Sequence, residues 1–338
     1  MPTLKDVASR AGVGLATASR VISGSGSVSL ATAARVMAAI EELGYRPSSI
    51  ARAMATGRMD TLGLVVPDYS EGEVRIILDA AIREIREHNR NVIVTSGGGD
   101  GDSDQQAVAA VRDLIERDCD GVLVVAHSLR QDALAAIAAL GERVVFVNQS
   151  FVHNPDVSFH IDHRVGGAIA AEYLAGLGHR RIAFVSDAPE IWGNAAKLEG
   201  FVIRLRELCG DSVSTELYRC PSSYLGGHEA AESVVKSGFN ATALFCADDS
   251  LAVGALAGLR SLGLTVPGNM SVLGYGDSYA ARYSSPLLST VSVPTGRLAQ
   301  QAVRSLLYRC YGTKADSGDE LSLALVARHT CLDVCRQS

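Results

Sequence analysis

Apolar residues in the first two dozen positions recur with the spacing of two short helices. Leu4, Val7, Ala8 and Ala11 fall at i, i+3, i+4 and i+7, on one stripe. Gly12 follows, where a left-handed residue ends a helix without a Cβ clash. Ala18, Val21 and Ile22 repeat the spacing on a second helix, which leaves Leu15, Ala16, Thr17, Ser19 and Arg20 outward. Two helices this close, joined by a glycine-containing turn, predict a helix-turn-helix; a helical hairpin packed in a core has the same pattern. A third helix is predicted over 30–43, capped by Ser29, with Val36, Ile40 and Leu43 inward and Gly44 at its end. Thr32 stands where a capping box places glutamate. Pro47 then suits the first turn of a short helix that Gly57 closes. A helix of about two turns is marginal in water and forms only when something holds it, so a plain linker is the alternative.

From Thr61 the pattern changes to apolar strands alternating with amphipathic helices. Strands are expected at 62–66, 92–95, 122–125 and 144–147, then at 182–185, 217–220, 243–246 and 272–274, with helices between them. Near-continuous apolar strands suit parallel sheets covered on both faces. The expected fold is therefore a small all-α head followed by an α/β core of two parallel-sheet subdomains. The expected divisions are a head at 1–46, a linker at 47–60 and a core at 61–338. Within the core, the first subdomain is expected at about 61–160 and 290–320, the second at about 161–289 and 321–333. Ligands in such sheets sit beyond the carboxyl ends of the strands, so the cleft between the halves is the expected binding site.

A length of 338 residues, 47% hydrophobic and 20% charged, fits an ordinary globular protein of two or three domains. A net charge of −6 looks wrong for a nucleic-acid binder, but it is unevenly distributed. Residues 1–60 carry seven basic side chains against four acidic ones, and the rest carries 24 against 33. A basic head on an acidic body suits a DNA reader carried by a separate domain. Seven scattered cysteines form no CxxC pair, and no leader or membrane-spanning run is apparent, so reduced thiols and a cytoplasmic location are expected. The glycine run 97–101 follows a strand but matches neither GxGxxG nor GxxxxGK[ST], and no HExxH or GxSxG occurs; no cofactor or metal is expected.

The stretches TLKDVASRAGVGLATASRVISG, GYRPSSIARAMATGR, GHRRIAFVSD, LFCADDSLAVGAL, GLTVPGNMSVLGYGDSYAARY and SPLLSTVSVP occur in that order. In these the chain resembles bacterial transcription regulators of the lac repressor/galactose repressor (LacI/GalR) family. The resemblance implies a homodimer that binds double-stranded operator DNA under the control of a small-molecule effector: a sugar, sugar acid or sugar phosphate. It implies base contacts by Leu15, Ala16 and Arg20 from the second helix, and by Ala51 and Met54 from a hinge helix in the minor groove. It implies phosphate contacts by Thr3, Thr17, Ser19, Ser29 and Thr32. In the core it places Asn148, Ile161, Lys197, Asp248 and Gly276 at effector positions, and Trp192 lies near the expected cleft. Several of these depart from the family pattern. Gly14 replaces a capping serine, Lys197 stands for a pocket arginine, and Gly276 stands for a pocket aspartate with Asp277 next to it. Lys197 reads either as an effector ligand or as a solvated helix lysine. Asp248-Asp249, at a strand-to-helix turn, reads as a helix cap that also binds a polar ligand, rather than as acid/base carboxylates. An enzyme or a sugar-binding module on the same core is the competing class, and no catalytic constellation supports it.

Overall fold

The stripes read from the head form three helices around one small core: α1 (Leu4–Ala11), α2 (Leu15–Ser23) and α3 (Leu30–Leu43). The computed structural model describes residues 2–23, 27–45, 57–67, 72–98, 103–126, 129–188, 193–313 and 320–336. Ala51 and Met54 of the expected hinge helix, and Trp192, lie outside the described residues. Val7, Ala8, Ala11, Ala18, Val36 and Ala39 are buried together, with Val21, Ile40 and Leu43 packed against them. α1 starts in a reciprocal cap that adds to the sequence expectation. The Thr3 hydroxyl accepts from Asp6 N, and the Asp6 carboxylate accepts from Thr3 N at 2.8 Å. Gly12 closes α1 in the left-handed conformation expected of it. Ser29 Oγ accepts from Thr32 N at 3.3 Å and donates to Thr32 Oγ1 at 2.9 Å, so Thr32 is drawn into the cap of α3.

The core begins with β1 (Thr61–Val66), α4 (Gly72–Glu87), β2 (Asn91–Ser96), α5 (Ser103–Glu116), β3 (Gly121–Val125), α6 (Gln131–Ala138), β4 (Val144–Val147) and β5 (Ser158–Phe159). These strands form a parallel sheet in the order β2-β1-β3-β4-β5. The second set is α7 (His163–Gly176), β6 (Arg181–Ser186), α8 (Asn194–Cys209), β7 (Ser214–Arg219), α9 (Tyr224–Lys236), β8 (Ala243–Cys246), α10 (Asp249–Ser261), β9 (Ser271–Gly276), α11 (Tyr279–Tyr283) and β10 (Ser289–Ser292). Its strands repeat the same order, β7-β6-β8-β9-β10, and β11 (Ala324–Val326) adds an antiparallel edge to β10. Each order reverses direction once, between β1 and β3 and between β6 and β8, and a crevice opens at such points beyond the strand ends.

The chain passes from the first lobe to the second after β5. It returns after Ser292 into α12 (Thr295–Tyr311), which packs on α4, β3 and β4 of the first lobe. The expected return at 290 therefore falls inside β10, a strand of the second sheet, and the crossing lies a few residues later. β10 escapes an apolar pattern because two of its three fully buried side chains carry hydroxyls. Ser289 and Thr290 are fully buried, held by hydrogen bonds from Arg328 N to Ser289 Oγ and from Thr290 Oγ1 to Asp249.

In the second lobe, α7 packs on α8 at very close range. A Cβ on Gly167 falls 2.1 Å from the carbonyl oxygen of Lys197. Gly167→Ala is therefore expected to force the helices apart and to cost about 2 kcal/mol. Urea unfolding checks this, and an unchanged midpoint contradicts it. α8 carries Lys197, so this contact also sets where that side chain meets the cleft.

Candidate functional site

The head presents one polar-and-apolar face at the start of α2. Ala18 is fully buried, while Leu15 is 53% exposed and Ala16 and Arg20 are also exposed. Gly14 precedes the helix, and its carbonyl accepts from Ala18 N at 3.0 Å. Thr3, Ser29, Thr17 and Ser19 keep at least part of their surface in solvent, although the first two already cap helices. Leu15, Ala16 and Arg20 are thus brought together on the outer side of a helix whose inner side anchors it.

Between the lobes lies a cavity of about 400 Å³. Its wall comes from the start of α4 (Gly72, Glu73, Ile76), from α8 (Asn194, Lys197) and from the turn before α9 (Ser222, Ser223). Further wall comes from the β8–α10 turn (Ala247, Asp248, Asp249, Ser250), from the end of β9 (Tyr275, Gly276) and from the crossing into α12 (Val293, Thr295). Most of these positions lie at or past the carboxyl end of a parallel strand. The chain's return crossing runs along the wall, so a ligand in the cavity touches a segment that joins the lobes.

Lys197 is neither a solvated lysine nor a cation reaching into open space. It is 7% exposed, and Nζ donates to Ala247 O at 3.0 Å and to Asn194 Oδ1 at 3.4 Å. Nζ also sits 4.5 Å from the centroid of the Tyr275 ring, where the negative face of the ring favours a cation. Behind that ring, the Tyr275 hydroxyl and His163 Nδ1 are hydrogen-bonded at 2.7 Å. Burial pushes the Tyr275 phenol well above its ordinary range, and the nearby charges of Glu73 and Asp162 push it the same way.

The acidic pair divides its work. Asp248 Oδ1 accepts from Leu251 N at 2.8 Å and caps α10, and Oδ2 accepts from Ser222 Oγ. Asp249 is buried, with Ser278 N at 2.6 Å and Thr290 Oγ1 at 2.7 Å donating to it; burial pushes its pKa up against those donors. Gly276 has φ +124, a conformation that a residue with a Cβ rarely adopts, so an aspartate in its place is strained. Asp277 does not take over that role, because its carboxylate is held by Arg282 and Arg328.

Lys197, Asp248 and Gly276 therefore meet in one cavity as expected, and two other expected effector residues do not. Ile161 packs in the main hydrophobic core, and Asn148 is buried in a left-handed turn whose N–H donates to Phe159 O. Neither lines the cavity. Glu73, Tyr224, Tyr275 and Thr295 line it as well, and Thr295 Oγ1 donates to Glu73 at 3.2 Å. Among the described residues, no group of three or more His, Cys, Asp or Glu is placed to hold a metal ion, and no helix is long and apolar enough to cross a membrane.

A helix-turn-helix ahead of two parallel-sheet lobes that enclose a polar cavity defines a transcription regulator with a periplasmic-binding-protein-like core. Residues 3–48 match the model of bacterial regulatory proteins of the lacI family, and residues 171–331 match a periplasmic binding protein-like domain. The chain is 30% identical to the HTH-type transcriptional regulator AscG of Escherichia coli (strain K12), over 98% of this chain and 99% of that one. It is 32% identical to GalR of the same strain, over 91% of this chain and 89% of that one. Among solved structures, the lac repressor dimer bound to operator and an anti-inducer superposes with a TM-score of 0.84 at 25% identity, over 98% of this chain and 99% of that one. A LacI-family regulator from Burkhoderia phymatum gives 0.76 at 38% identity, over 81% of this chain and 99% of that one. The chain belongs to the LacI family of bacterial transcriptional regulators, and it is a regulator rather than an enzyme.

Proposed function

We propose that the protein is a repressor that binds a pseudo-palindromic operator as a homodimer and answers to a small metabolite, a sugar or sugar derivative, in the interlobe cavity. The observation that carries this reading is the outward face of α2, where Leu15, Ala16 and Arg20 stand clear of a helix anchored by Ala18. The N-terminal residues of a second helix so placed meet base edges in a major groove. Arg20 offers a bidentate donor to guanine, and Leu15 and Ala16 offer apolar contact to a thymine methyl. Thr3, Thr17, Ser19, Ser29 and Thr32 supply hydroxyls at the phosphate-facing positions of the family pattern. Ala51 and Met54 are proposed for the minor groove on the family pattern alone. Trp192 is kept on sequence grounds as a further effector contact. The reading implies a cytoplasmic location, since the operator is there.

Lys197, Asp248 and Gly276 belong to the proposed effector site, together with Glu73, Tyr224 and Tyr275. A ligand shifts the lobes only through unequal affinity for their arrangements, and operator and effector then change each other's affinity by the same factor. The test is a gel-shift titration with the protein's own upstream DNA across a salt series. Steep weakening with salt is expected, as counterions are released from neutralised phosphates. Arg20→Ala is expected to cost about 1–3 kcal/mol of operator affinity, roughly five- to 150-fold. Salt-insensitive retention, or none, sinks the proposal.

A further inference from the structure

Resting on the reading that the interlobe cavity is the effector site, we infer that the effector is a hydroxylated molecule bearing a protonated amine, an amino sugar by chemical class. The described wall of the cavity carries three carboxylates, Glu73, Asp248 and Asp249, against one cation, Lys197, and no arginine. The lysine is already engaged by the protein. Two of its donors go to Ala247 O and Asn194 Oδ1, and its charge rests on the Tyr275 ring. It therefore offsets part of the carboxylate charge and offers an incoming anion little.

The helix ends point the same way. α4 and α10 both open on the cavity with their N-termini, the places where a phosphate or a sugar carboxylate would otherwise dock. Each already holds an acidic side chain of its own. Glu73 lies in the first turn of α4, Asp248 caps α10, and Asp249 follows it. A second anion there meets like charge in a partly enclosed space where solvent screens poorly. An ammonium group meets carboxylates from both lobes, Glu73 from the first and Asp248 from the second. Glu73, in the first turn of α4, and Tyr275, at the end of β9, face the same cavity from opposite lobes. The remaining lone pairs of these carboxylates, with the hydroxyls of Ser222 and Ser250, suit sugar hydroxyls. Tyr224, 54% exposed on the wall, offers a ring face for stacking.

The test uses the full chain and a panel of hexosamines, each with its parent hexose, uronic acid and 6-phosphate. Binding is read by calorimetry at one pH and ionic strength. At least one hexosamine is expected to bind about tenfold more tightly than its parent, the weight of a charge-assisted hydrogen bond. Glu73→Gln is expected to bring that preference close to one. Tightest binding by a uronic acid or a sugar phosphate, parity between hexoses and hexosamines, or no binding by any hexosamine overturns the inference. The wild-type ranking decides alone if the variant does not fold. Operator retention by the same preparation is measured in parallel. Loss of retention strikes the regulator reading, whereas retention relieved by a neutral or acidic sugar strikes only the inference drawn here.

Discussion

Acidification from pH 7 to pH 4 is expected to remove about 3 kcal/mol of folding stability through a single histidine, His179. The side chain is fully buried between α7 and β6, with Nδ1 2.9 Å from Thr242 Oγ1. Thr242 Oγ1 itself donates to Arg181 O, so it is free to accept a proton from the imidazole. Burial lowers the pKa of His179 to about 4 against the opposing pull of the Leu332 backbone, while the Arg180 cation lowers it and the charge of Asp333 raises it by less. Above pH 6.5 the ring is neutral in both the folded and the unfolded chain, and no penalty exists. Below 6.5 the unfolded chain takes up a proton that the folded chain refuses, so stability falls until the pH nears 4, where both are protonated. Urea unfolding at a series of pH values measures the loss. The same series with His179→Gln should show a slope between pH 6.5 and 4 that is shallower by about one proton. Equal slopes in the two proteins contradict the assignment.

His179 illustrates which features local sequence can carry. Gly178-His179-Arg180-Arg181 marks a turn before an apolar strand, and the structure places His179 there, fully buried. The paired sheets were readable for a similar reason. Buried parallel strands such as Leu62–Val66 and Ala243–Cys246 are apolar throughout, and nothing but burial on two faces explains such runs. β10 was not readable, because Ser289 and Thr290 are buried by hydrogen bonds to residues some forty positions away. α12 carries a clear stripe in Leu298, Ala302, Leu306 and Cys310, within the range expected to belong to the first lobe.

The cavity was legible only in part. Lys197, Asp248 and Gly276 follow from motif position, since each sits at a fixed distance from a recognisable strand end. Glu73 and Thr295 become neighbours through the packing of α4 on α12, a contact between residues 222 positions apart that no local pattern encodes. The loss of the family's arginine and aspartate also reads differently in three dimensions. Gly276 is not a vacancy that Asp277 fills, because φ +124 and the Arg282–Asp277–Arg328 linkage prevent it. Acidic character moves to the α4 side of the cleft instead, through Glu73.

Asp120→Ala is expected to destabilise the first lobe by about 3 kcal/mol and to loosen the point where the linker enters the core. Asp120 holds that point with both oxygens. Oδ1 accepts from Met59 N at 3.0 Å, and Oδ2 accepts from Thr61 N at 3.3 Å and from the Tyr311 hydroxyl at 2.7 Å. The Tyr311 phenol is pushed far above its ordinary range, first by burial and then by Asp120, so it remains a donor at any working pH. Its ring lies under the guanidinium groups of Arg90, 4.1 Å from the centroid, and Arg58, 5.4 Å away, and Arg90 also pairs with Asp60. Removing the carboxylate leaves two backbone N–H groups and a phenol short of their acceptor, and each loss costs about 1 kcal/mol or more. Tyr311→Phe removes a single donor and should cost about 1 kcal/mol. The two changes share a partner, so the double variant should lose less than the sum of the singles. Tyr311 stands on α12, the helix that begins with Thr295 at the cavity wall. One helix thus runs from the cavity wall to the residues where the core begins, and Asp120→Ala should also narrow the difference in operator affinity between the ligand-free and ligand-saturated protein. Strict additivity of the stability losses, with an unchanged effector response, would show that this anchor is no more than local packing.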